Sequence, residues 1–312
     1  MRMHRLGRLF SLERYRYCRE LFAHPAQAHL ALTGVTKKPF TLEFKSGGQL
    51  DFPKFRKVRS LWTYLFSDPA RLRGLHVVDG ALGFPFEGTT IYVRPVSFDF
   101  PIFTEVFLED VYQLKTLGEL ETVVDLGANI GLFSTRAAML GAKRVIAIEP
   151  VSANRALAER HFAAAKVADR VTLIGKAVTG TTGETVAIHL SAENSGAHSV
   201  DRDMAGIQGD AGVEQVETIS LADLFAEHGV ERCDLLKCDV EGAEFEIVLA
   251  TPPEVLQTIA RLAMEVHLTP ETPADRYPAL KAHLEASGFT LEEEEGPLFE
   301  GYLQQYMLTG TR

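Results

Sequence analysis

The chain has 312 residues, 46% of them hydrophobic, enough for one large α/β domain with a substantial core plus an N-terminal extension. No apolar run approaches the roughly 20 residues of a membrane helix, and the opening Met-Arg-Met-His-Arg-Leu-Gly-Arg leads into charged positions instead of an apolar signal core, so a cytoplasmic location is expected. Cys18, Cys233 and Cys238 form no CxxC pair, which argues against a disulfide framework and a zinc knuckle.

The net charge of −10 conceals an asymmetry. Residues 1–60 carry 13 Lys+Arg against 4 Asp+Glu, and the remainder carries 19 against 38. A basic arm of this kind suits an anionic membrane surface, nucleic acid or an acidic partner, and equally an exposed helix face. The acidic body argues against a broad phosphate-binding surface, and therefore against nucleic acid as the main partner.

Residues 2–30 read as helical, with Leu6, Leu9, Phe10, Leu21 and Phe22 set among Arg and Glu, while residues 31–60 show no clear period. Thr89 to Arg94 alternates like a strand. Phe103 to Leu117 reads as one amphipathic helix with Val106, Phe107, Val111 and Leu114 apolar, forming a lid or entry layer. From Thr122 the pattern is strand, glycine turn and helix, repeated: Val123 to Leu126, a helix from Leu132, Val145 to Ile148, a helix from Ala153, then Val171 to Ile174. The expected fold is a doubly wound, mostly parallel seven-stranded sheet, Rossmann-like, with an α-rich extension over residues 1–88 and the main domain over 89–312. The acidic run Glu292 to Glu295 suits a solvated loop or strand edge.

Chemistry concentrates at the strand ends. Asp125, Gly127, Ala128, Asn129 and Gly131 belong to a turn that follows an apolar strand and opens a helix, where doubly wound folds bind cofactors. A nicotinamide fingerprint needs G-x-G-x-x-G. Here Asn129 replaces the middle glycine, the spacing is G-x-x-x-G, and an acid stands two residues before it, which suits S-adenosylmethionine better. The next strand ends at Glu149 and Pro150, with the carboxylate 22 residues after Gly127, where an acceptor for both ribose hydroxyls is expected. Asn154 on the following helix is a weaker cofactor candidate, and Ala177 stands where an adenine ring could lie on backbone and small side chains.

A second dense segment runs from Leu235 to Glu244. Asp239 and Glu241, just past a strand's end, are candidates to hold a divalent cation such as Mg²⁺, to position an acceptor or to act as base. Charge complementarity at a helix start is the competing reading of Glu241 and Glu244, and Lys237 is placed to pair with one of these acids. A further strand brings Glu265 and His267 to one face, which makes His267 a candidate base or metal ligand.

Val123 to Ser134, Ile148 to Pro150, Leu236 to Glu244 and Glu265 to His267, in this order and spacing, resemble the FkbM-type family of S-adenosylmethionine-dependent methyltransferases over roughly residues 95–310. The resemblance implies methyl transfer to an oxygen of a sugar or natural-product small molecule. It further implies that Glu105 and Tyr112, which follow Ser97 to Phe100, line the cofactor pocket, and that Asn194 to Ser199 form a polar loop near the acceptor. Asp239, Glu241 and His267 are then the residues expected to act on the hydroxyl. An NAD-type oxidoreductase of similar topology and a non-catalytic cofactor-binding protein are the alternatives.

Overall fold

The computed structural model describes residues 12–34, 38–53, 55–191, 210–270, 272–296 and 304–312. The chain divides into two compact units, Met1–Pro101 and Ile102–Arg312. In the first, α1 (Leu12–Leu21) and α2 (Pro25–Leu32) replace the continuous helix expected over residues 2–30. Leu6, Leu9 and Phe10 lie outside the described residues. The break is local in origin. Phe22 leaves the helix to bridge Phe44, and Pro25, lacking an N–H, starts the next helix.

The aperiodic stretch that follows holds a hairpin of β1 (Phe40–Glu43) and β2 (Gln49–Phe52), then the start of α3 (Phe55–Phe66). Strands of four residues are too short for alternation to register. α3 buries Phe55, Val58, Leu61, Trp62 and Leu65, and the Trp62 ring meets Phe22 at 6.0 Å and Phe52 at 6.4 Å. After α4 (Pro69–Leu72), β3 (His76–Val78), β4 (Ala81–Phe86) and β5 (Thr89–Val93) form an antiparallel meander, with β5 at the expected position. Buried Asp99 accepts hydrogen bonds from the Arg94 backbone N–H and guanidinium at 2.8–2.9 Å.

The single helix expected over Phe103 to Leu117 is not what forms. α5 (Asp99–Phe103) runs into a π-helical turn, Thr104–Glu109, and both Asp110 and Gln113 then adopt left-handed φ of 55° before a 3₁₀ turn at Leu114–Thr116. Val106, Phe107 and Leu114 are buried as their apolar character requires, while the widened turn carries Glu105.

The second unit is built on the strands β6 (Thr122–Leu126), β7 (Arg144–Ile148), β8 (Val171–Ile174), β12 (Leu235–Cys238), β13 (Arg261–Leu268), β14 (Thr290–Glu295) and β15 (Gln304–Thr311). Their order is β14-β15-β13-β12-β6-β7-β8, with every neighbouring pair parallel except those of β15. The helices are α6 (Leu132–Met139), α7 (Ser152–Ala165), α8 (Leu221–Glu227), α9 (Glu244–Ala250), α10 (Pro253–Leu256) and α11 (Arg276–Ala286). A small sheet of β9 (Ala177–Thr179), β10 (Thr185–Ser191) and β11 (Asp210–Ser220) is inserted between β8 and β12.

Strand order reverses between β6 and β12, so the switch point of this sheet, where open α/β folds bind ligands, lies at their carboxyl ends. Reverse-running β15 departs from the dinucleotide-binding order, in which the sixth strand directly follows the fifth. The acidic run Glu292 to Glu295 lies on edge strand β14, where charges discourage edge-to-edge pairing. Among the described residues no helix is long and apolar enough to cross a membrane.

At the opposite rim, Asp234 fixes the start of β6. Its Oδ2 accepts from the N–H groups of Glu121 and Thr122 at 2.8 and 3.0 Å. Burial raises its pKa, but the Thr122 amide and Arg232 outweigh this and hold the carboxyl below its usual value. Asp234→Ala should cost about 1–3 kcal/mol at neutral pH in urea unfolding. A depressed folded pKa means that this contribution is present above about pH 4 and fades as pH falls further, so the gap to wild type should close in acid.

Candidate functional site

Three left-handed residues shape the turn after β6: Gly127 at φ 76°, Asn129 at 50° and Gly131 at 76°. The glycines serve different ends. A Cβ on Gly127 would stand 1.8 Å from the Asp239 carbonyl oxygen, so the turn presses backbone to backbone on the end of β12. A Cβ on Gly131 would stand 2.7 Å from the Ala158 Cβ, so this glycine lets α6 pack closely on α7. The N–H groups of Gly127 and Ala128 donate to the Ile148 carbonyl at 3.1 and 2.8 Å, tying the turn to β7.

Lys237 on β12 is buried beneath this turn. Its Nζ donates to the Gly127 carbonyl at 2.8 Å and lies 3.4 Å from both Asp125 Oδ1 and Asp239 Oδ2. Burial alone would lower the amine's pKa, but the flanking Asp239 and Asp125 carboxylates raise it, so the site keeps a fixed cation. The other Asp125 oxygen accepts from Ser134 Oγ at 2.6 Å, orienting the start of α6. The buried Asn129 Oδ1 has no hydrogen-bond partner, and Asp125 Oδ1 meets only the Lys237 ammonium.

Glu149 is buried at the end of β7. Its Oε2 accepts from Asn129 N–H at 2.8 Å, and its Oε1 accepts from Val151 N–H at 2.8 Å and Asn154 Nδ2 at 3.3 Å. Burial raises its pKa against the pull of these donors. Asn154 therefore braces the carboxylate. The Pro150 carbonyl accepts from Arg155, and Ala177 packs in a buried cluster with Val151, Ile188 and Val216.

On the other side of the switch point, Glu265 of β13 accepts from Tyr112 Oη at 2.8 Å and from Gln305 Nε2 of β15 at 2.6 Å. Burial, with Asp239 nearby, raises the Glu265 pKa. Glu105 is pushed up to about 8 by burial and by the Glu265 and Asp239 carboxylates. His267 Nδ1 lies 3.0 Å from Glu244 Oε1, and its Nε2 lies 3.9 Å from Glu241 Oε2. Burial would lower the ring's pKa, yet Glu241 and Glu244 carry it well above its ordinary value. Glu244 is itself fully buried and accepts from the N–H groups of Gly242 and Val240.

The geometry thus regroups the candidates. Donor atoms of Asp239, Glu265 and His267 all lie within 4.8 Å of one another, a grouping that includes Glu265 and not Glu241. Glu241, at a left-handed φ of 55°, flanks the histidine instead. Tyr112 reaches this group through Glu265, whereas Ala177 belongs to the small sheet. Asn194 to Ser199 lie outside the described residues. Gln305 carries no local signal, because its importance depends on the register of β15 against β13. Lys237 was partly readable, since a lysine inside an apolar parallel strand must find an acid.

The methyltransferase FkbM domain pattern matches residues 125–295. The 31-O-demethyl-FK506 methyltransferase FkbM of Streptomyces tacrolimicus is 29% identical over 246 residues, covering 70% of this chain and 92% of that protein. Methyltransferase sdnD of Sordaria araneosa is 24% identical over 222 residues, covering 62% and 83%. The AMB antimetabolite synthetase AmbE of Pseudomonas aeruginosa is 27% identical over 235 residues, which is 64% of this chain but only 11% of that protein. The crystal structure of methyltransferase FkbM from Methylobacillus flagellatus superposes with a TM-score of 0.39 at 15% identity, covering 60% of this chain and 43% of that one.

Removing the cation under the turn should be costly. Lys237→Met leaves two acids facing each other and should destabilise the protein by about 3–5 kcal/mol in urea unfolding, and adding Asp125→Asn should restore part of the loss. A single variant within about 0.5 kcal/mol of wild type would show that Lys237 does not organise the rim.

Proposed function

Since the chain belongs to the FkbM methyltransferase domain family, we propose that it uses S-adenosylmethionine to methylate a hydroxyl on a small molecule, a sugar or natural-product scaffold. The observation that carries this reading is the close approach of the Gly127 turn to Asp239 at the switch point, with an acid-rich rim around it. The family removes the oxidoreductase alternative.

The residues present suit this cofactor. A ligand bearing an ammonium and a sulfonium calls for acceptors and negative potential, and Asn129 Oδ1 is a buried acceptor without a hydrogen-bond partner, beside the acid-rich rim. The three bonds already made to Glu149 leave acceptor capacity on Oε2, enough to take a ribose hydroxyl. Gly127, Ala128 and Gly131 keep the turn thin, Asn154 and Pro150 hold Glu149 in place, and Glu105, Tyr112 and Ala177 complete the proposed pocket. Bound there, the cofactor supplies a methyl carbon made electrophilic by its positive sulfur.

Asp239, Glu241 and His267 serve the acceptor. In-line placement of the hydroxyl oxygen provides much of the acceleration. With the cofactor bound, the carbon–oxygen bond would form as the methyl carbon–sulfur bond breaks and leaves a neutral thioether, and the Asp239 and Glu241 carboxylates at this rim would receive the hydroxyl proton. His267, with its ring nitrogens toward Glu244 and Glu241, positions these groups. The name of the Streptomyces relative, a 31-O-demethyl-FK506 methyltransferase, supports oxygen as the methylated atom.

Calorimetry should detect binding of S-adenosylmethionine and S-adenosylhomocysteine but not of NAD. Glu149→Ala should weaken both by about 1–3 kcal/mol, the cost of leaving buried hydroxyls poorly paired. Unchanged affinity in this variant would remove Glu149 from the ribose site.

A further inference from the structure

The carboxyl ends of β12 and β13 gather an imidazole and two carboxylates from separate strands. One oxygen each from Asp239 and Glu265 and one ring nitrogen of His267 lie within 4.8 Å of one another. Donors around a divalent cation with bonds near 2.1 Å stand about 3.0 Å apart when adjacent and about 4.2 Å apart when opposite, so the three groups draw together when a cation binds.

The supporting contacts distinguish this group from a patch of acids. His267 Nδ1 pairs with Glu244 at 3.0 Å, and that carboxylate is anchored by backbone N–H groups, as expected behind a metal-binding histidine. Glu265 is oriented by Tyr112 and Gln305, and Asp239 by Lys237. Each donor is thus held by residues that do not themselves belong to the triad. The Asp239 side chain remains 26% exposed, which leaves an open side for water or an acceptor oxygen.

We propose that Asp239, Glu265 and His267 form a divalent-cation site that prefers Mn²⁺ to Mg²⁺. Two carboxylates provide hard oxygen donors, and the imidazole favours the transition metal over a cation that takes oxygen almost exclusively. The chemical role of the site rests on the hydroxyl-methylation reading, since a cation here would anchor the acceptor oxygen and ease loss of its proton. The site itself needs neither cofactor nor acceptor.

The test uses the chelator-treated full chain without S-adenosylmethionine, titrated with Mn²⁺ and followed by electron paramagnetic resonance. One Mn²⁺ per chain should bind, and pulsed spectra of the wild-type complex should carry nitrogen modulation from one imidazole. Asp239→Asn and Glu265→Gln should each lower Mn²⁺ affinity by at least about tenfold, and Glu244→Gln by about 10–100-fold. Absence of stoichiometric binding at millimolar Mn²⁺, absence of nitrogen modulation, or unchanged affinity in folded variants would overturn the assignment. The nitrogen signal is read on the wild type, so it decides the matter even if a variant fails to fold. Mn²⁺ binding without S-adenosylmethionine binding would sink the methylation reading and leave the cation site standing.

Discussion

The site depends on one close approach, that of the Gly127 backbone to the Asp239 carbonyl, with Lys237 bound beneath both. Parallel strands that diverge at a switch point leave a crevice, and this contact closes its floor. Because a Cβ at Gly127 would overlap the Asp239 carbonyl, no other residue type fits the turn without moving β12. The Lys237 ammonium joins the Gly127 carbonyl, Asp125 and Asp239 in one buried network, so the proposed cofactor turn and the proposed acceptor side are coupled through a single side chain.

Around this floor the charge is unbalanced. Asp125, Glu149, Asp239, Glu241, Glu244 and Glu265 stand at the ends of β6, β7, β12 and β13, against Lys237 and His267. Such an excess suits a cationic ligand and costs stability unless each acid is hydrogen-bonded. Most are: Glu149 and Glu244 by backbone N–H groups, Glu265 by Tyr112 and Gln305. The acids of the site are therefore held in place by contacts reaching from the π-helical segment to the final strand.

Much of this was legible in the sequence because it is local. Asp125 to Gly131 and Glu149 announce themselves by glycine spacing and by their position after apolar runs, and the strands at Val123, Val145, Val171 and Leu262 lie where hydrophobic pattern puts them. What escaped depends on long-range pairing or on backbone irregularity. The Phe103 to Leu117 helix fails at the left-handed Asp110 and Gln113, which apolar periodicity does not register. That Glu265 and not Glu241 lies close to Asp239 and His267 depends on a left-handed φ at Glu241 and on the antiparallel register of β15, which brings Gln305 opposite His267.

The central claim is that the cofactor lies across the carboxyl ends of β6 and β12. A crystal structure of the full chain with S-adenosylhomocysteine tests it most directly. The account predicts the methionine portion over the Gly127 turn, the ribose against Glu149, and the sulfur directed toward the side where Asp239, Glu265 and His267 converge. Density for the ligand away from the Gly127 turn, or a ribose with no contact to Glu149, would contradict it.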